Sequence, residues 1–289
     1  MNKYVIISVV AYIILAPFIG GLLEGIDRKI SARMQRRVGP PLLQPFYDVI
    51  KLWKKQIIVV SRAQAFALIT YLALIILTGS MFFAGTDILM CFFVMSTGAT
   101  FLYFAAVAAS SPYSTIGANR ELIQMMTYEP AVLLACVGFY LAEGSFNVRD
   151  IVTSSTWDIL YLPGFFVAFV FILTIKMRKS PFDTSTSHHM HQELVKGLTT
   201  EMGSRNLAIF QVTEWYENVF LMGVVAMFFV NSNPYSIIVG IVAVLAVYFL
   251  EILIDNTSAR VKYEEMFRVT WLLTLFSAGV NLLVLMLVR

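Results

Sequence analysis

Cysteine is almost missing from this 289-residue sequence: Cys91 and Cys136 are the only two, far apart and without a C-x-x-C spacing. That argues against a structural disulfide and against an iron-sulfur cluster held by this chain, and both thiols are expected to pack as small apolar groups. Charge is also scarce, at 13% of residues against 58% hydrophobic. With a mean hydropathy of +0.76, this excludes an ordinary soluble domain. The net charge of +3 is too small to suggest nucleic acid as a partner. Strict apolar/polar alternation in ten-residue units is missing, which excludes a membrane β-barrel. Also lacking are a nucleotide-binding loop, low-complexity segments and the internal repeat that often marks a secondary transporter.

What the sequence has is eight apolar runs near the length of about 20 residues that crosses hydrocarbon. They cover Tyr4 to Leu23, Phe66 to Ala84, Ile88 to Ala109, Leu122 to Ala142, Trp157 to Met177, Leu207 to Val230, Tyr235 to Ile254 and Phe267 to Val288. The expected fold is an all-α polytopic membrane protein, one integral membrane domain over residues 1–289. Basic residues stay preferentially on the cytoplasmic side of short loops. The loops after spans one, three, five and seven carry nine, one, five and three of the 21 Lys and Arg, leaving Lys3, Arg149 and Arg289 for the other face. Cytoplasmic loops are therefore expected at about 27–65, 110–121, 178–206 and 255–267, with both termini outside the cytoplasm. The first span is too long, and too basic after its end, for a cleaved signal peptide. The basic residues are expected to serve topology, anionic lipid and an acidic partner.

The first cytoplasmic loop holds Arg33, Arg36, Arg37 and the Gly-Pro-Pro of Gly39 to Pro41, then a helical period. Phe46, Val49, Ile50 and Trp53 recur at i, i+3, i+4 and i+7, opposite Asp48, Lys51, Lys54 and Lys55. This spacing predicts an amphipathic helix from about Pro45, lying in the interface either as a simple anchor or as a docking platform. Arginine suits the second role, because its fork of donors grips carboxylates.

Ionisable groups within the spans are costly, about 2.5 kcal/mol or more each, and so need a reason. Glu129 stands 14 residues before Glu143, which marks the outer end of its span; at about 1.5 Å per residue this places it about 20 Å deep. Gln211, Glu214, Glu217 and Asn218 are spaced by three and four and share a helix face. Polar glue between helices is one explanation, a proton path the other. Glu251 and Asp255 lie nearer the inner end of span seven, where snorkelling or pairing with Arg260 is expected. The loop after span five gathers Asp183, all three histidines (His188, His189 and His191), then Glu193 and Glu201. A zinc site would need about four ligands, so a proton relay, a partner contact or a solvated loop is preferred.

Taken in order, RKISARMQRRVGPPLLQPFYDVIKLWKK from Arg28 to Lys55, TYEP at Thr127 to Pro130, SPFD at Ser180 to Asp183, ELVKG at Glu193 to Gly197 and TE at Thr200 to Glu201 resemble subunit 1 of respiratory complex I and its relatives in energy-converting membrane [NiFe] hydrogenases. The shorter run from Gly39 to Pro45, and HHMHQ at His188 to Gln192 in place of a short glutamate-rich segment, favour the hydrogenase branch. The resemblance implies a non-catalytic membrane subunit in a prokaryotic cell membrane. It would seat the [NiFe] large and small subunits and a ferredoxin-type iron-sulfur subunit, next to an antiporter-like membrane subunit. The [NiFe] centre and clusters would belong to those partners and none to this chain. Glu129, Glu193, Glu201 and Glu214 would form a proton or charge path, joined by Glu217 from its helix face. Arg33, Arg36, Arg37 and Asp48 would dock partners, with Asp183, His188, His189 and His191 at the same interface. A quinone-site subunit of a complex I type oxidoreductase, a stand-alone cation transporter and a passive anchor are the competing readings.

Overall fold

The computed structural model describes residues 3–56, 61–186 and 196–288. Twelve α-helices occur among them: α1 Lys3–Met34, α2 Gln44–Lys54, α3 Arg62–Ala84, α4 Ile88–Val107, α5 Pro112–Glu143, α6 Val148–Val152, α7 Asp158–Tyr161, α8 Pro163–Lys176, α9 Ser204–Met227, α10 Ser236–Thr257, α11 Tyr263–Thr274 and α12 Val280–Val288. No β-strand is found among the described residues. Each apolar run becomes a helix or a helical pair. Six are long and apolar enough to cross a membrane, with α11, a π-helical turn at Leu275–Gly279 and α12 forming one continuous span. The protein is thus a polytopic α-helical membrane protein.

Three helices depart from expectation. α1 continues eleven residues past Leu23 to Met34, carrying Glu24, Asp27 and Arg28 on a helix rather than in a loop. α5 starts at Pro112 instead of Leu122, since proline fits the first turn of a helix, where its missing N–H costs nothing; Arg120 and Glu121 are therefore helical. The fifth run is broken: α7 stops at Leu162 and α8 starts at Pro163, because a proline disfavours helical backbone in the residue before it. That leaves a helix of 14 residues.

α9 is 24 residues long but too polar to count among the six apolar spans. Its position resolves the conflict. It packs against α1, α2, α3 and α10, so Glu217, Thr213 and Trp215 face protein, where polar groups can find partners instead of lipid. Its outer half is held by rings: Phe220 meets Phe82 and Phe92 edge-on, and just past the helix end Phe228 packs on Phe139, Phe166 and Phe169. At that end the α3–α4 and α5–α6 connections meet in one antiparallel bridge between Asp87 and Asn147. Asp87 also caps α4, accepting from the Leu89 and Met90 amides.

The expected amphipathic helix is α2. Its Phe46 stacks on Phe18 and leans on Trp215, while Tyr47, Ile50 and Trp53 stay exposed. Two glycines let it approach: a Cβ at Gly21 would strike the Phe46 ring, and one at Gly25 would strike the Leu42 carbonyl.

Candidate functional site

The chain reverses at the end of α8, with Arg178 at φ 49°, and drives three cations into the bundle. Side-chain exposure is only 6% for Lys176, 8% for Arg178 and 7% for Lys179. These residues were expected to serve topology and lipid; instead each is paired inside. Lys176 donates to Glu217 Oε1 at 2.5 Å, and Tyr71 donates to the other oxygen at 2.9 Å. Arg178 spans two helices, binding Glu121 of α5 and Glu214 of α9 at 2.7 Å each. Lys179 reaches Asp27 of α1 at 2.8 Å. The reason is energetic: a cation at this depth is costly unless paired and hydrogen-bonded, and the carboxylates of α1, α5 and α9 supply both. Burial works against the Arg178 charge, but Glu121 and Glu214 outweigh it, so the guanidinium is held above its ordinary pKa.

These groups line a polar cavity of ≈ 140 Å³ with Glu24, Trp215, Asn218 and Tyr248. Glu24 takes a 2.5 Å hydrogen bond from the Trp215 indole and pairs with Arg28, which holds Asp48 of α2 at 2.6 Å. Burial raises the Asp48 pKa, but the bonds from Arg28 and Gln44 prevail and leave its carboxyl below the ordinary value. One further acid lies on α10. Glu251 is fully buried, and neither of its oxygens has a hydrogen-bond partner; Lys179 is the cation whose charge reaches it. Asp255, a turn away, accepts from the Ser180 amide at 2.9 Å. The expected pairing of either acid with Arg260 does not occur, because Arg260 is taken by Asp183 at 2.8 Å. That ion pair folds the Ser180–Asp183 turn under the bundle, where Gln124 donates to the Phe182 carbonyl. Asp183 is thus engaged within the chain.

Of the acidic path inferred from sequence, the structure brings together Glu214 and Glu217. Glu129 is half-buried on α5 in a separate small pocket beside Phe92, Ser96 and Leu133. Its neighbour Tyr128 presents its ring to Lys176, 4.8 Å from the ammonium, and so stands between pocket and cavity. Glu201 is half-buried in the turn before α9. Glu193, His188, His189 and His191 lie outside the described residues. Arg33, Arg36 and Arg37 are exposed around the end of α1. Among the described residues, no three His, Cys, Asp or Glu side chains gather as metal ligands. Glu24, Asp27, Glu121, Lys176, Lys179 and Glu251 are site residues that sequence reading missed. The i, i+3, i+4 spacing of Glu24, Asp27 and Arg28 was the available signal for the first two.

An α-helical membrane bundle with a network of buried ion pairs opposite an arginine-rich, amphipathic edge is the architecture of a coupling or anchoring membrane subunit. The chain belongs to the NADH dehydrogenase family, the family of complex I subunit 1, whose model matches residues 6–286. It is similar to a membrane component of the NADH-quinone oxidoreductase of Brevibacillus brevis, 30% identical over 95% of this chain and 90% of the relative. The equivalent NADH-quinone oxidoreductase component of Rhodospirillum rubrum is 28% identical over 92% and 89%. Hydrogenase-4 component C of Escherichia coli is 26% identical over 94% and 93%. The fold is shared with a chain of the archaeal membrane-bound sulfane sulfur reductase, with a TM-score of 0.88 at 24% identity over 97% and 99% of the two chains.

Proposed function

We propose that this chain is the membrane-anchoring and coupling subunit of a ferredoxin-linked, ion-translocating [NiFe] hydrogenase complex. It seats the peripheral redox subunits on its arginine-rich edge and passes protons or charge through its buried carboxylates. The observation that carries the reading is the cavity beneath α8. Around it the acids Glu24, Asp27, Glu121, Glu214, Glu217, Glu251 and Asp255 outnumber the cations Arg28, Lys176, Arg178 and Lys179. Like charges crowded at low dielectric cannot all stay ionised, so protons must make up the difference. Their number then responds to any charge that appears or leaves nearby. Redox chemistry in a peripheral partner at the basic edge would supply such a change. Lys176 and Tyr128 offer a route from the cavity towards Glu129, and the occupancy of the path is the quantity being coupled.

The hydrogenase assignment rests on the Gly39-to-Pro45 and HHMHQ features and on the similarity to hydrogenase-4 component C. A quinone-reducing complex is the second reading, favoured by the names of the Brevibacillus and Rhodospirillum relatives. Native mass spectrometry of the solubilised assembly, with an assay of hydrogen evolution from reduced ferredoxin in the absence of quinone, separates the two. A nickel-carrying subunit and quinone-independent hydrogen evolution are expected. An assembly without nickel whose turnover requires quinone overturns the hydrogenase reading and leaves the coupling role in place.

A further inference from the structure

At the end of the bundle opposite the cavity, α5 finishes at Glu143 and the chain returns through residues 153–158 to α7. Asp158 starts α7 and is 1% exposed, yet neither of its carboxyl oxygens has a hydrogen-bond partner. The Glu143 carboxyl is the ionisable group that acts on it, although no hydrogen bond closes between them in this structure. The backbone around Asp158 is held firmly. The Ile159 amide donates to the Phe228 carbonyl, the Leu162 amide to the Asp158 carbonyl, and the Ser232 amide to the Ser154 carbonyl. The Thr156 hydroxyl donates to Glu143 Oε1 at 3.4 Å, tying the loop to the acid it faces. Of the nearby α6 side chains, Arg149 and Asp150 are exposed, and Asp150 is engaged by Ser145 and Asn147. No cation is therefore directed at Asp158.

A buried carboxylate without a donor is a costly state, and a second carboxylate beside it makes it worse. One proton removes both penalties, because a protonated Asp158 becomes a donor and Glu143 the acceptor. We propose that Glu143 and Asp158 form a proton-binding pair that holds one proton between two carboxyl groups, at the face of the protein opposite the ion-paired cavity. In keeping with this, burial first and the Glu143 carboxyl second push the Asp158 pKa above the ordinary carboxylate range. The pair is separate from the residues assigned to coupling above and holds for either branch of the family.

Infrared titration of the purified assembly tests this through the carbonyl stretch of a protonated carboxylic acid. The wild-type complex is expected to show such a band at neutral pH that fades as the pH rises, and Asp158→Asn to lack it. Glu143→Gln should keep the band but lose it at a lower pH, since the like charge is gone. If Asp158→Asn fails to assemble, the Glu143→Gln midpoint decides alone. A neutral-pH band identical in wild type and Asp158→Asn, an unshifted Glu143→Gln midpoint, or displacement of the band by sodium at constant pH would overturn the proposal, the last by making the pair a cation site.

Discussion

Lys176 and Glu217 are the residues whose separation should cost most. Both are almost fully enclosed, and Glu217 accepts from Lys176 and Tyr71 at once. Glu217→Gln leaves a buried ammonium without its counter-charge, a loss of about 3–5 kcal/mol for a pair of this kind. The double change Lys176→Met with Glu217→Leu should recover much of that, because an apolar pair of similar volume is often neutral. Thermal unfolding of the detergent-solubilised complex should rank the double variant above the single one. Arg28 and Asp48 offer the contrast. Each side chain is 33% exposed, so Asp48→Asn should cost no more than about 1 kcal/mol. Because the Asp48 pKa is lowered by folding, its contribution is present above the ordinary carboxylate range and is lost as the pH falls through the lowered value.

Between elements, the contact that matters most is α1 with the turn into α2, since it sets Asp48 beside Arg28. Gly25→Leu would push the Leu42 carbonyl away and lift α2 from α1 and α9. Hydrogen exchange at the amides of 44–54 should rise several-fold in that variant, while α3 and α4 keep their protection. The helices themselves were legible in the sequence, because apolar runs of spanning length have one main solution in lipid. Their ends were less so. α1 runs on past its apolar residues because Glu24, Asp27 and Arg28 find partners on α2, α8 and α9, which no local pattern announces. Pro163 was readable as a break inside the fifth run, but the run's uniform apolar character masked it.

Across the whole molecule, the site joins residues that are remote in sequence: Asp27 with Lys179, Glu121 with Arg178 and Glu214, and Lys176 with Glu217. Glu214 and Glu217 were legible because charge inside a span needs a reason. Lys176, Arg178 and Lys179 were not, since basic residues just past a helix end look the same whether they face a partner, lipid headgroups or a buried acid. The same scale applies to docking. Replacing Arg33, Arg36 and Arg37 together with Glu should release the peripheral subunits while the membrane domain stays folded, a loss visible by size-exclusion chromatography.

The coupling claim is tested most directly with Glu214→Gln, which removes one acid from the cavity but leaves Arg178 its partner Glu121. The measurement is ion uptake per hydrogen evolved by the assembled complex in sealed vesicles driven by reduced ferredoxin. The account predicts that hydrogen evolution continues while ion uptake per turnover falls severalfold. Wild-type uptake per hydrogen in that variant, with the complex intact, would contradict it.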